Sequence, residues 1–144
     1  MASTLKINTL TGVSTAGSIA VTGEGNSTTT NLQQGLCKAW ACNEQDGTNS
    51  VLDSFNQASI TDIGNGQHSG TRTNNMASVN WTVGFLTSAD GSSNDYSMVH
   101  CGMRTANGTL SDKSTSLVSC YVKNSSHSGL DLANVGYQIF GDLA

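Results

Sequence analysis

Residues 78–86 read Ser-Val-Asn-Trp-Thr-Val-Gly-Phe-Leu. In an extended chain Val79, Trp81, Val83 and Phe85 fall on one side, and Ser78, Asn80, Thr82 and Gly84 on the other. Alternation of this kind marks a β-strand with one face in a core and one in water. The rhythm recurs on both sides of it. Leu36–Cys42 puts Leu36, Lys38, Trp40 and Cys42 on one face, and Cys37, Ala39 and Ala41 on the other. Val51–Ile63 carries Leu52, Phe55, Ile60 and Ile63, as two short strands broken near Gln57. Tyr96–Met103 follows, then Ser116–Lys123 with Val118, Cys120 and Val122 on one face, and last Val135, Tyr137 and Ile139. Asp46-Gly47, Asn65-Gly66, Asp90-Gly91 and Asn107-Gly108 supply turn chemistry at the breaks. No segment makes a convincing amphipathic helix; Ala133–Asn134 sits in one short turn at most. The pattern predicts an all-β fold, an antiparallel β-sandwich or jelly-roll-like domain over residues 36–144.

Composition agrees with a thin-cored β domain. Ser, Thr, Asn and Gly make up 67 of the 144 residues, and proline is absent. Only 11% of residues are charged and the net charge is −4, so the low apolar content does not signal disorder, which goes with strong charge. Thin cores are often supplemented by oligomerisation. Six Lys and Arg, widely spread, give no phosphate-binding patch, which argues against nucleic acid as a partner. No apolar run approaches the roughly 20 residues that span a bilayer, so no membrane is expected.

Residues 1–35 form a different region, with one Lys, one Glu, no aromatic residue and no cysteine. Thr4–Leu10 and Ser18–Val21 read as short extended pieces, and Gly23, Gly25 and Ser27–Thr30 as a linker. Its scattered aliphatics cannot build a core, so the arm is expected to gain its order on another surface. An arm that pairs along a neighbour's sheet edge would suit it.

Chemistry-bearing residues are few. The start, MASTLKINTL, lacks a secretory pattern, so Cys37, Cys42, Cys101 and Cys120 are expected as reduced thiols made in a cytoplasm. On one strand Cys37 and Cys42 would stand about 16 Å apart, too far to bridge. A cross-strand bond between Cys101 and Cys120 stays open. His100, Cys101 and Cys120 lack the spacing of a zinc site, and core thiols are preferred. Asp46, Asp53, Asp62, Asp90, Asp95, Asp112, Asp131 and Asp142 mostly flank turns, where Asp is at home without catalysis. None of the loops has the oxygen-ligand spacing of a calcium loop. His68, His100 and His127 stand in no motif, and Ser92, Ser93, Ser125 and Ser126 follow from composition. Trp40 and Trp81, each beside aliphatics in an alternating run, are expected between the sheets rather than stacked on sugars. Tyr96 and Tyr121 are the better exposed candidates. The sequons at Asn26, Asn80, Asn107 and Asn124 follow from composition as well. The expectation is therefore a non-enzymatic protein with no cofactor.

Two stretches carry a resemblance. Residues 2–36 resemble the leader of small virion structural proteins of marine tailed phages, notably those of cyanobacteria. Residues 35–71 resemble the module behind such leaders. That module runs Gly-Leu-Ala-Lys-Ala-Trp, a Gly-containing turn, Ser-Phe-Asn, Ser-Ile-Thr-Asp and an Asn-Gly or Thr-Gly turn. Here these are Gly35-Leu36-Cys37-Lys38-Ala39-Trp40, Asp46-Gly47, Ser54-Phe55-Asn56, Ser59-Ile60-Thr61-Asp62 and Asn65-Gly66. The chain departs from it at Cys37 and at Gln67-His68-Ser69, where the module tends to an aromatic and an apolar residue. The likeness covers about half the chain and is most specific over residues 35–66. It implies a β-module exposed on a virion, usually a homotrimer, assembled in the host cytoplasm and displayed on the particle surface. Because the arm is short, it implies a capsid decoration or cement-like knob, bound through residues 1–35 to the major capsid protein or another virion protein. The tip of a tail fibre and a carbohydrate-binding module are the alternatives, and host cell-surface glycans are a further expected partner.

Overall fold

The computed structural model describes residues 4–12, 19–23, 28–88, 100–103, 113–124 and 126–144. The chain falls into two units, Met1–Leu36 and Cys37–Ala144. In the first, β1 (Ala20–Thr22) and β2 (Thr29–Asn31) form an antiparallel hairpin with Ala20 opposite Asn31. A single helical turn, α1 (Leu32–Gly35), follows. The Asn31 side chain accepts the Gln34 N–H at 3.1 Å, satisfying one of the donors a helix start leaves unpaired. This corrects two expectations. Thr29 and Thr30 belong to a strand rather than to a linker, as β-branched residues favour. The helical turn is at Leu32–Gly35, whereas Asn134 opens a strand. Thr4–Leu10 joins no sheet, and none of the described residues of this unit is buried.

The second unit is a sandwich of two four-stranded antiparallel sheets. One has the order β4 (Ser50–Phe55), β3 (Ala39–Glu44), β10 (Asn134–Phe140), β7 (Thr82–Ser88). The other runs β5 (Gln57–Gly64), β6 (Gln67–Arg72), β9 (Leu117–Lys123), β8 (His100–Met103). The alternating runs supply the layer between them. Ala39 and Ala41 of β3, Tyr137 and Ile139 of β10 and Val118 of β9 pack with Met76 and Trp81. Cys120, Val122, Leu132 and Val135 continue the core, with Phe85 against both groups. Val79, by contrast, lies outside the strand and is exposed.

Trp81 anchors this layer. Its indole N–H donates to the Ser114 carbonyl at 3.1 Å, and the Arg72 and Lys113 cations stand 4.7 and 4.3 Å from its ring centre. Cations near an indole face are attracted by its quadrupole.

Passage from the first sheet to the second takes one residue. Asn56 separates β4 from β5 with φ of 60°, a left-handed conformation that Asn tolerates. Its amide donates to the Lys38 and Asn74 carbonyls at 3.0 and 3.1 Å, and its Oδ1 accepts the Asn74 N–H at 2.6 Å. The corner is therefore pinned by side-chain bonds, one residue before the break read near Gln57.

Within the sandwich, the strand that alternation does not reveal is β6. Gln67-His68-Ser69-Gly70-Thr71-Arg72 contains no aliphatic residue, yet it is paired on both sides, to β5 and to β9. His68 lies opposite Cys120 and Gly70 opposite Val118, so the core face of this strand is His, Gly and Arg.

Trp40 and the cysteines also depart from expectation. Ala39, Ala41 and Asn43 take the buried face of β3, which turns Trp40 and Cys42 to the outer side of the sheet, half-buried. Trp40 is thus not a core residue. Cys37 precedes β3 instead of sharing a strand with Cys42, and both are free thiols. Cys101 lies opposite Val122, and Met103 opposite Cys120, so Cys101 and Cys120 are not cross-strand partners.

Candidate functional site

The outer face of the first sheet carries a cleft of about 360 Å³, lined chiefly by β3, β10 and β7. Register explains it. Phe55, Trp40, Gln138 and Gly84 form one row across the four strands, and Asp53, Cys42, Gly136 and Leu86 the next. Residues opposite one another in antiparallel strands share a face. Glycines at 84 and 136 therefore leave a hollow between the Trp40 indole and Leu86, which is 75% exposed. A Cβ on Gly84 would meet nothing within 4 Å, so the hollow opens to the outside. Asn134 and Gln138 put primary amides at its rim, and Asn134 Oδ1 accepts the Cys42 thiol at 3.4 Å. None of the lining residues is charged. Such a surface can stack a ring and hydrogen-bond its substituents; its own lining supplies no acid–base pair.

A second cluster lies inside the sandwich. The Tyr137 hydroxyl donates to Gln57 Oε1, and Gln57 Nε2 donates to Asn43 Oδ1 at 2.8 Å. Gly70 makes room for this chain, since a Cβ there would stand 2.9 Å from both Gln57 Oε1 and the Tyr137 hydroxyl. Burial pushes the Tyr137 hydroxyl well above its ordinary pKa, with nearby Arg72 opposing. His68 is 1% exposed and neither ring nitrogen has a hydrogen-bond partner among the described residues. Burial lowers its pKa to about 4, with the Asp62 carboxylate pulling weakly the other way.

The His68 shift has a definite sign in stability. Between pH 6.5 and about 4 the unfolded chain binds a proton at this imidazole that the folded chain resists. Stability from this residue is therefore complete above pH 6.5 and is lost as pH falls toward 4. The loss is about 3 kcal/mol, from 1.36 kcal/mol per pKa unit. Urea denaturation across this range should show that slope in the wild type and a much shallower one in His68→Gln. Equal slopes in the two would exclude the assignment.

The remaining sequence candidates are dispersed. Asp53, Asp62 and Asp131 accept backbone N–H groups of Ser54, Gly64 and Gly66, and so serve turns and strand ends. His127 is exposed in a turn with φ of 62°. Tyr121 is half-buried on β9 with the Lys123 ammonium 4.4 Å from its ring centre. No cluster of three or more His, Cys, Asp or Glu able to hold a metal occurs among the described residues. Tyr96, Asp90, Asp95, Asp112, Ser92, Ser93 and Ser125, with the turns at Asp90-Gly91 and Asn107-Gly108, lie outside the described residues. Of the cleft, sequence reasoning singled out Trp40 and Cys42 but placed both in the core. Gly84, Gly136 and Gln138 all occupy alternate positions opposite core residues, a signal that becomes a site only once their strands are neighbours. Set against known protein families, curated proteins and solved structures, the chain matches none of them.

Proposed function

We propose that this chain is a non-catalytic structural protein of a tailed-phage virion, displayed on the particle surface. Within that class it is a capsid decoration or cement-like knob whose sandwich, residues 37–144, is held to the major capsid protein or another virion protein by its N-terminal unit. The supporting observation is the surface of that unit. Leu5, Ile7, Leu10 and Val21 are each at least half exposed, and no described residue of residues 4–36 is buried. Apolar side chains on a segment without a core of its own are the requirement for docking on another protein. The phage setting is supported by the likeness of residues 2–71 to virion leaders and their modules.

A receptor-binding tip of a tail fibre is the second reading, favoured by the uncharged cleft, since a tip needs a ligand surface and a cement protein does not. Image reconstruction of virions carrying labelled protein separates the two. The expected result is density on the head, lost when residues 1–36 are deleted. Density on the tail would select the fibre tip, and absence from purified virions would defeat both.

A further inference from the structure

We propose that the outer-face cleft between Trp40 and Leu86 binds a neutral saccharide. The inference deepens the reading of a surface-displayed protein and rests on it for its biological setting, but its argument is the chemistry of the lining. Five observations converge. The wall on one side is an indole, whose flat apolar face suits the C–H face of a pyranose. The floor is Gly136 and Gly84, where main chain is uncovered and a ring can lie against the sheet. The rim carries Gln138 and Asn134, whose amides offer donors and acceptors together, as vicinal hydroxyls require. The lining has no charge, so a carboxylated or phosphorylated ligand would lose its hydration without a countercharge. The volume, about 360 Å³, lies at the small end of the range for small-molecule sites.

A second copy of the chain is the competing occupant of an apolar sheet face. The protruding Leu86 beside a glycine hollow would allow it, but the amide rim would then have to be buried with its hydrogen bonds matched. A saccharide uses the indole, the glycine floor and the amide rim together.

Gly84→Val gives a clean test. An added Cβ meets no atom within 4 Å, and valine suits a strand better than glycine does. The variant should fold at least as stably as the wild type while its side chain fills the hollow. The full chain is titrated with maltose, cellobiose, lactose and diacetylchitobiose, with sialyllactose as the acidic comparison, following the Trp40 indole and the Gln138 and Asn134 amide resonances. The expected result is saturable shifts at these three groups with at least one neutral disaccharide. Affinity should weaken at least tenfold in Gly84→Val and in Trp40→Ala at unchanged melting temperature in the former.

Three results would overturn the inference. One is no shift at these groups with any neutral disaccharide. Another is undiminished binding by Gly84→Val. The last is a self-associated wild type that Gly84→Val dissociates, which would give the face to a second copy. Saccharide binding by a chain missing from virions would defeat the virion assignment alone; a chain located on virions that binds none of the neutral sugars would defeat only the cleft.

Discussion

Trp81→Ala should destabilise the sandwich by about 4 kcal/mol, within the range for truncating a buried aromatic residue to alanine. Trp81 is 3% exposed and packs between residues of both sheets, with Ala39, Ala41, Val118, Tyr137 and Ile139 in the same cluster. Its loss removes more than apolar area. The Ser114 carbonyl loses its indole donor, and Arg72 and Lys113 lose the ring whose centre lies 4.7 and 4.3 Å from their cations. Arg72 is itself buried, so its guanidinium keeps its desolvation cost with one favourable contact fewer. Urea denaturation should place the midpoint about 2 M below the wild type, for a slope near 2 kcal/mol/M. Trp40→Ala is the matched comparison, because that indole is half-buried on an outer face, and its cost should be less than half as large. Equal costs for the two would contradict the placement of Trp81 in the core and Trp40 outside it.

Gly66→Ala should cost at least about 3 kcal/mol, lowering the melting temperature by roughly 15 °C for a domain of this size. The position has φ of 72°, which charges any L side chain about 1–2 kcal/mol. The remainder is steric: an added Cβ would overlap the Val122 carbonyl oxygen and stand 2.5 Å from the Leu130 nitrogen, both main-chain atoms that cannot rotate away. The closeness reflects how the Asn65-Gly66 turn docks on the chain after β9. Gly66 N–H donates to Asp131 Oδ1 at 2.5 Å, and its carbonyl accepts the Val122 N–H at 2.8 Å. Gly47→Ala isolates the strain from the clash, because Gly47 has φ of 86° and nothing within 4 Å of its missing Cβ. It should cost about 1 kcal/mol, the lower end of the left-handed penalty. Similar melting temperatures for the two variants would mean that the turn is not docked in this way.

Strands with an apolar rhythm are legible from the order of residues. Val118, Cys120 and Val122, and Val135, Tyr137 and Ile139, alternate in sequence and all are buried in the sandwich. β6 is not legible in that way, because Gln67–Arg72 has no aliphatic residue to alternate. It is a strand because β5 and β9 each offer it a row of backbone partners, and its face toward the core is filled from elsewhere: the Gln57 side chain and the Tyr137 hydroxyl occupy the space over Gly70. The cleft is half legible. Trp40 stands out, but alternation divides β3 into two faces without saying which is buried. Ala39 and Ala41 take the inner place because Trp81, which directly precedes β7, and Tyr137 of the same sheet, with Val118 of the opposite one, already fill the space that an indole would need.

From its order of residues alone, this chain determined that it would be extended, antiparallel and sandwich-like, and where its turns at Asp46-Gly47 and Asn65-Gly66 would fall. Those properties are local: side-chain alternation and turn conformation act over a few neighbouring residues. The burial of a wholly polar strand, the outward turn of Trp40 and the meeting of Gly84 with Gly136 and Gln138 were decided only by tertiary structure. Each depends on which strands become neighbours and in what register, and that is settled by packing between residues as much as a hundred positions apart, as the 102-residue separation of Cys37 from its Ile139 acceptor illustrates.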